Sequence, residues 1–291
     1  MRGDVLTKIQ VSVLRGVCQT PAYVAFEKGF FAESGLEVRL DVAATAWLVP
    51  HKLVTGESQF GVIPWTRVAA AEANDIPLVL LAGSGCEEAA IVLRTGKTAN
   101  DVKSVAVPRE GGMKDLTAMG MLEMLGWQDA ERVRMPSGDG AILALVGQGA
   151  DAASMIEPYA TMIEQLGLGT VIKRTGDVWP GAPGCSLATS VSLTEEQPEM
   201  VQAVVDAFVR GAHFVQEQPD EAAEIAADYI GMNPAFIREA LRKNLPNLDA
   251  LRNQDSMDHV MTLMQKLGYV SRRPQHFMNL SFLDKAQALS S

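Results

Sequence analysis

The run Thr20-Pro21-Ala22-Tyr23-Val24-Ala25-Phe26-Glu27-Lys28-Gly29-Phe30-Phe31-Ala32-Glu33-Ser34-Gly35-Leu36-Glu37-Val38 decides how this chain is read. Thr20 is a capping residue type. Pro21 suits a first helical position, where its missing N–H would have no partner anyway, and Gly35 is a helix stop. A short apolar run, Ile9–Leu14, precedes the stretch, and another, Val38–Val42, follows it. Runs of that length bounded by turn signals read as strands, so the segment spells strand, capped helix, strand.

Downstream, further strands are expected at Phe60–Ile63, Leu78–Ala82, Ala89–Leu93, Ser104–Val107 and Ala153–Ile156. Helical patterns lie between them at Pro21–Ser34, Trp47–Thr55, Trp65–Asn74, Lys114–Leu125, Ala141–Gln148 and Tyr159–Leu166. Alternation of the two predicts a wound α/β sheet with parallel strands. Thr55-Gly56-Glu57-Ser58-Gln59-Phe60-Gly61-Val62 and Gly147-Gln148-Gly149-Ala150-Asp151-Ala152 each read as helix, tight turn, strand. Beyond about Ser192 the texture turns helical, at Pro198–Gln218, Pro219–Ile230, Asn233–Lys243 and Ser256–Leu267.

A chain of 291 residues has room for one large domain or for two lobes of ~100–150 residues. The formal charge of −10 disfavours nucleic acid and anionic membranes as partners, and no basic stripe offsets it. No apolar run approaches the ~20 residues of a membrane span. Cys18, Cys86 and Cys185 are odd in number and far apart, without Cys-x-x-Cys or metal-ligand spacing, so neither a disulfide framework nor a metal site is expected. The opening Met1–Lys8 lacks the apolar core of an export signal. Either such a signal has been removed or the protein is cytoplasmic. No motif for a cofactor stands out.

The opening run, and with it essentially the whole chain to Phe277-Met278-Asn279-Leu280-Ser281-Phe282-Leu283-Asp284-Lys285-Ala286, resembles the solute-binding proteins of the nitrate/sulfonate/taurine (pyrimidine-precursor) group. These serve ABC importers. The resemblance implies an α/β, two-lobed type II periplasmic-binding-protein fold with a helical C-terminal segment. Residues 1–96 and 192–291 would form one lobe and 97–191 the other, with hinges near 92–98 and 187–193. It also implies a small-molecule ligand, an ABC permease as partner and a periplasmic location.

In open α/β sheets, loops at the carboxyl ends of strands meet at a crevice into which helix N-termini point. That rule selects Cys18, Gln19, Thr20, Trp47, Pro64, Trp65 and Thr66 from one lobe, and Arg109, Gly111, Gly112, Met113, Ser137, Gly138 and Glu157 from the other. Unpaired N–H groups at helix starts favour a small anion, sulfonate or carboxylate in class. Trp47 and Trp65 are candidates for stacking on an organic ligand, or for core packing. Pro108-Arg109-Glu110-Gly111-Gly112-Met113-Lys114 reads as a ligand loop, a position the resembled group also uses, or as a solvated surface loop. Glu157-Pro158-Tyr159 resembles that group's Glu-Pro signal, whose Glu faces the cleft; Glu87, Glu88 and Glu157 argue instead for a cationic or hydrogen-bond-donating ligand.

Two rival functions stay open at this point. The same scaffold hosts desulfinase-like and thiamin-pyrimidine-synthase-like enzymes, and Cys18 sits just before a helix N-terminus, where a thiol is activated when a base such as His51 is near. The Cys-rich run of the synthases is absent, and so is an Arg around Phe60-Gly61. A soluble ligand sensor is the other rival. The leading expectation is a binding protein without a catalytic residue.

Overall fold

The structure, a computed structural model, describes residues 7–135 and 138–290. In chain order the elements are β1 (Thr7–Val13), α1 (Thr20–Glu27), α2 (Phe30–Glu33), β2 (Leu36–Val42), α3 (Val49–Thr55), β3 (Phe60–Pro64), α4 (Trp65–Ala73) and β4 (Leu78–Gly83). Then come β5 (Ala89–Arg94), β6 (Ser104–Pro108), α5 (Met113–Met124), β7 (Glu131–Met135), α6 (Gly138–Val146), β8 (Ala152–Ile156), α7 (Tyr159–Gln165) and β9 (Gly169–Arg174). The chain closes with β10 (Cys185–Ser190), α8 (Val191–Glu196), α9 (Pro198–Glu217), α10 (Pro219–Ile230), α11 (Pro234–Lys243), α12 (Gln254–Lys266) and α13 (Ser281–Ser290).

Two five-stranded sheets result, ordered β2-β1-β3-β10-β4 and β7-β6-β8-β5-β9. Neither is wholly parallel, against expectation. β10 runs antiparallel to β3 and β4, and β5 antiparallel to β8 and β9. These are the strands by which the chain enters a sheet from the other one, and arriving from the far side reverses their direction. The crossings therefore fall at residues 84–88 and 175–184, before the expected hinges near 92–98 and 187–193. Residues 92–93 and 187–189 are paired on both sides within a sheet.

Two strands gave no apolar signal, β7 and β9, and both are sheet edges. Their sequences, Glu-Arg-Val-Arg-Met and Gly-Thr-Val-Ile-Lys-Arg, carry the charges by which edges avoid pairing with other chains. The expected long first helix is broken at Gly29, which takes φ 75°, and Thr20 does not act as an acceptor cap: its hydroxyl donates to the Val17 carbonyl at 2.7 Å. The two helix-turn-strand patterns form as read, with Gly56 at φ 73° and Gln148 at φ 61° making the turns.

The first sheet is covered on one face by α1, α9, α10, α11 and α13 around a core that includes Tyr23, Phe60 and Phe208. The helix α9 approaches α1 closely enough that a Cβ on Gly211 would lie 2.2 Å from the Pro21 carbonyl oxygen. On its other face α3, α4 and α12 build a core around Trp65, Leu80 and Met264. Met113 and Leu116 of α5 join that second core, so the two sheets are bridged on one flank. The second sheet has smaller cores under α6 with α7 and under α5 with Trp127. No helix among the described residues is long and apolar enough to cross a membrane.

Candidate functional site

A cavity of about 140 Å³ lies between the two sheets. Its first side is made by Leu14 and Arg15 after β1, by Ala43–Trp47 after β2, and by Pro64 and Arg67 where β3 meets α4. Pro108 and Arg109 after β6, Gly112–Lys114 at the start of α5, Ile156 at the end of β8 and Tyr159 at the start of α7 form the second. Glu88 at the end of the first crossing and Cys185 at the start of β10 line it as well. The parallel strands thus deliver their carboxyl ends to one place, as the crevice rule requires.

Arginine dominates the cavity's chemistry. Arg67 is 9% exposed, and its guanidinium stacks on the Trp47 ring at 3.5 Å. Its Nη2 donates to the Glu110 carbonyl at 3.2 Å, while its Nε has no partner. Burial pushes its pKa down to about 10, so it remains charged at neutral pH. Arg109 approaches the same ring at 5.1 Å. Trp47, 40% exposed, therefore meets two cations, with an attraction of ~0.5–2 kcal/mol for each such pair. Among the described residues none of Arg15, Arg67 and Arg109 takes part in an ion pair. Lys114 adds a fourth cation to the lining. Among the described residues the single carboxyl group lining it, Glu88, is 5% exposed, and burial raises its pKa. A chain of net charge −10 has concentrated positive charge at one cavity.

Gly111 and Gly112 have a physical role here that their spacing alone does not convey. Gly111 adopts φ 83°, and a Cβ on Gly111 or Gly112 would stand 3.3 or 3.2 Å from the Arg67 guanidinium. The pair lets the loop of one lobe lie flat against an arginine of the other. Arg134 pairs with Asp115, which also accepts from Tyr269 Oη at 2.6 Å and from the Gly111 N–H at 3.1 Å, fixing the loop from behind.

Of the residues expected at the site, Trp47, Pro64, Arg109, Gly112 and Met113 line the cavity. Trp65 and Thr66 are fully buried and outside the lining, Trp65 within the core against Phe277. Gln19 turns its amide oxygen to the Leu14 N–H at 3.1 Å, and Thr20 is occupied as described; both are fully buried. Glu157 is buried and paired with Arg174 at 2.6 Å, and it accepts from the Thr161 N–H at 3.0 Å, so it is a structural acid rather than a cavity wall. Gly111 sits behind the lining, beside Arg67. Ser137 lies outside the described residues, and Gly138 is described only as the first residue of α6. Cys18 is 4% exposed, its thiol raised by burial, with the Gln19 amide donating to its Sγ at 3.2 Å. His51 is exposed on α3. The activated Cys18–His51 pair is not formed.

Sequence reasoning selects Pro64, Trp65 and Thr66 but not Arg67, the next residue. On a helix beginning at Trp65, Pro64 and Arg67 are three apart and share a face, while Trp65 and Thr66 turn inward. That spacing was the available signal. Glu88, which the sequence offers only as an argument for a cationic ligand, lines the cavity too.

The sequence signature of the NMT1-like family matches residues 5–230, more than half of the chain. The chain belongs to the NMT1-like family. Its solved relatives by shape share the whole architecture. A ligand-binding component of an ABC-type import system from Staphylococcus aureus, with zinc bound, superposes with a TM-score of 0.84 at 16% identity, over 96% of this chain and 99% of that one. The periplasmic nitrate-binding protein NrtA from Synechocystis PCC 6803 gives 0.82 at 14% identity, over 98% and 89%. The alkanesulfonate-binding protein SsuA from Xanthomonas axonopodis pv. citri, bound to MOPS, gives 0.79 at 12%, over 94% and 99%. No curated protein matches the chain. This NMT1-like protein therefore has the two-lobed periplasmic-binding-protein fold expected from its opening run.

Proposed function

We propose that this protein is the solute-binding component of an ABC-type import system and captures a small organic anion, sulfonate or carboxylate in class, between its two lobes. The observation that carries the reading is the convergence of Arg15, Arg67, Arg109 and Lys114 on one cavity in which, among the described residues, Glu88 is the single carboxyl group. A negative ligand supplies the counter-charge that the three arginines lack. The cavity's modest volume suits a small ligand. The Trp47 ring offers an apolar face for its organic part, and the N-terminus of α5 contributes a favourable dipole. The solved structures similar in shape include nitrate- and sulfonate-binding proteins, which supports an anion without choosing among them.

Capture works by population shift. A ligand that touches both lobes favours the closed form, whereas one that touches a single lobe does not. Arg67 and Trp47 come from one side and Arg109 and Lys114 from the other, so an anion between them meets that condition. A permease as partner and a periplasmic site of action follow from the same reading. The burial of Cys18 and the exposure of His51 favour binding over turnover.

A thermal-shift screen with methanesulfonate, acetate, nitrate, a pyrimidine and an alkylammonium salt tests this. A native-state ligand at 100 times its Kd stabilises by about 2.7 kcal/mol. One or more anions should raise Tm in a saturable way and be recovered chemically unchanged. A response confined to the alkylammonium, or turnover of any added compound, would overturn the proposal.

A further inference from the structure

Where Glu88 and Cys185 line the cavity, a second chemical group is assembled. Cys18 follows β1, Glu88 lies on the first crossing between sheets, and Cys185 begins β10 after the second crossing, so three distant parts of the chain meet there. One ligand atom from each lies within 4.8 Å of the others, and all three residues are buried. We propose that Cys18, Glu88 and Cys185 form a binding site for a borderline-soft divalent cation of the zinc class.

Several features of the surroundings fit a built site. Glu88 Oε1 accepts from the Cys185 N–H, while its Oε2, buried, accepts no hydrogen bond. An unpartnered buried carboxylate oxygen is costly unless something occupies it. Two glycines make the room: a Cβ on Gly184 would fall 1.7 Å from Glu88 Oε1, and one on Gly85 would fall 2.7 Å from Cys18 Cβ and 2.9 Å from Glu88 Oε1. The Gln19 amide donates to Cys18 Sγ at 3.2 Å, an interaction that favours the thiolate and orients it.

Donor type selects the ion. Two sulfurs and one carboxylate oxygen suit zinc and are poor ligands for magnesium or calcium, which take oxygen. Bond lengths of about 2.0–2.3 Å in a tetrahedron place ligand atoms ~3.7 Å apart. Rotation of side chains whose ligand atoms already lie within 4.8 Å of one another reaches that spacing. Glu88 and Cys185 also line the cavity, so a fourth coordination position would open toward it. Three protein ligands with an open position is the arrangement that lets a bound metal take an exogenous donor. Two thiolates and one carboxylate would leave the loaded site at net −1, beside a cavity lined by Lys114 and three arginines.

Cobalt(II) titration of the reduced, chelator-treated full-length protein tests the site, because cobalt reports its ligands by colour. The expected result is one equivalent bound, with a thiolate-to-cobalt charge-transfer band and the visible bands of tetrahedral cobalt, all bleached by one equivalent of zinc. Cys18→Ser and Cys185→Ser should each remove about half of the charge-transfer intensity. Each should also weaken zinc binding by about 100-fold or more in competition with a chromophoric chelator. Glu88→Gln should keep the thiolate band and weaken binding by about 10–100-fold, and Cys86→Ser should change nothing. If a cysteine variant does not fold, the wild-type band decides alone. Absence of that band in reduced wild-type protein, or a band that survives in a folded Cys18→Ser/Cys185→Ser protein, would overturn the proposal. The outcome is independent of the anion reading, since anion-induced thermal shifts are measured in chelator without any metal.

Discussion

Replacing Arg67 with methionine should separate binding from stability in opposite directions. In the ligand-free protein the guanidinium is 9% exposed, has no ion-pair partner, and leaves Nε unsatisfied. Methionine forfeits one hydrogen bond to the Glu110 carbonyl, about 1 kcal/mol, and the Trp47 stack, about 0.5–2 kcal/mol. Against that it removes a buried cation whose desolvation costs several kcal/mol. The thioether side chain also keeps an apolar stem against the ring, so the ligand-free Tm should be unchanged or higher. Binding moves the other way, because a hydrogen bond to a charged group contributes about 1.5–3 kcal/mol. Anion affinity should fall about 10- to 150-fold. Calorimetric titration with the anion found in the screen, alongside thermal melts without ligand, reads both quantities. A lower ligand-free Tm with unchanged affinity would mean that Arg67 is a structural residue, and the argument from unpaired cations would fail.

Four further outcomes follow from the same geometry. Trp47→Ala should weaken binding of an organic anion by about 1 kcal/mol and of nitrate less, since only the former stacks; equal losses in paired titrations would remove the ring as an apolar wall. Gly211→Ala should destabilise the protein by about 1–3 kcal/mol in chemical denaturation, because the added methyl meets the Pro21 carbonyl at 2.2 Å; unchanged stability would mean that α9 moves away at no cost. Asp151 accepts from the Lys103 N–H at 2.9 Å and pairs with Lys97 at 2.8 Å and Arg94 at 3.2 Å, and Lys97 foremost holds its carboxyl well below the usual range. The folded-state pKa is depressed, so its stabilisation is full above the unfolded value of about 3.9 and is lost as pH falls through the folded one. Asp151→Asn should cost about 2 kcal/mol at pH 7, and the gap from wild type should shrink below about pH 4; a pH-independent gap would refute the charge argument. Finally, Lys243 of α11 reaches Glu164 of α7 at 3.5 Å and Tyr269 bonds Asp115 across the lobes. Removing both contacts (Lys243→Ala with Tyr269→Phe) should enlarge the ligand-free radius of gyration by small-angle scattering and weaken ligand binding by the lost closed fraction; an unchanged radius would place those contacts outside the closure.

Which elements form was already written in the chain, because their signals are local. Short apolar runs, proline at helix starts and glycine at stops set β1 through β6 and helices α9 through α12 within a residue or two, while α8 and α13 carried no such signal. Family membership was legible for the same reason, the opening run being continuous in sequence. Edge strands β7 and β9 escaped because charges dilute their pattern. Strand direction in β5 and β10 also escaped, since a strand carries no local mark of which neighbour it will pair with.

The site divides along the same line. The crevice rule found the loops, and with them Trp47, Arg109 and the Gly111–Gly112 pair, but a loop's residues face cavity or core according to helix phase and backbone hydrogen bonding. Thus Arg67 faces the cavity while Trp65 packs in the core, and Glu157 answers Arg174 instead of a ligand. Cys18, Glu88 and Cys185 showed no metal-ligand spacing because their closeness is made by two crossings of the chain between sheets, and only the folded arrangement brings residues so far apart within reach of one ion.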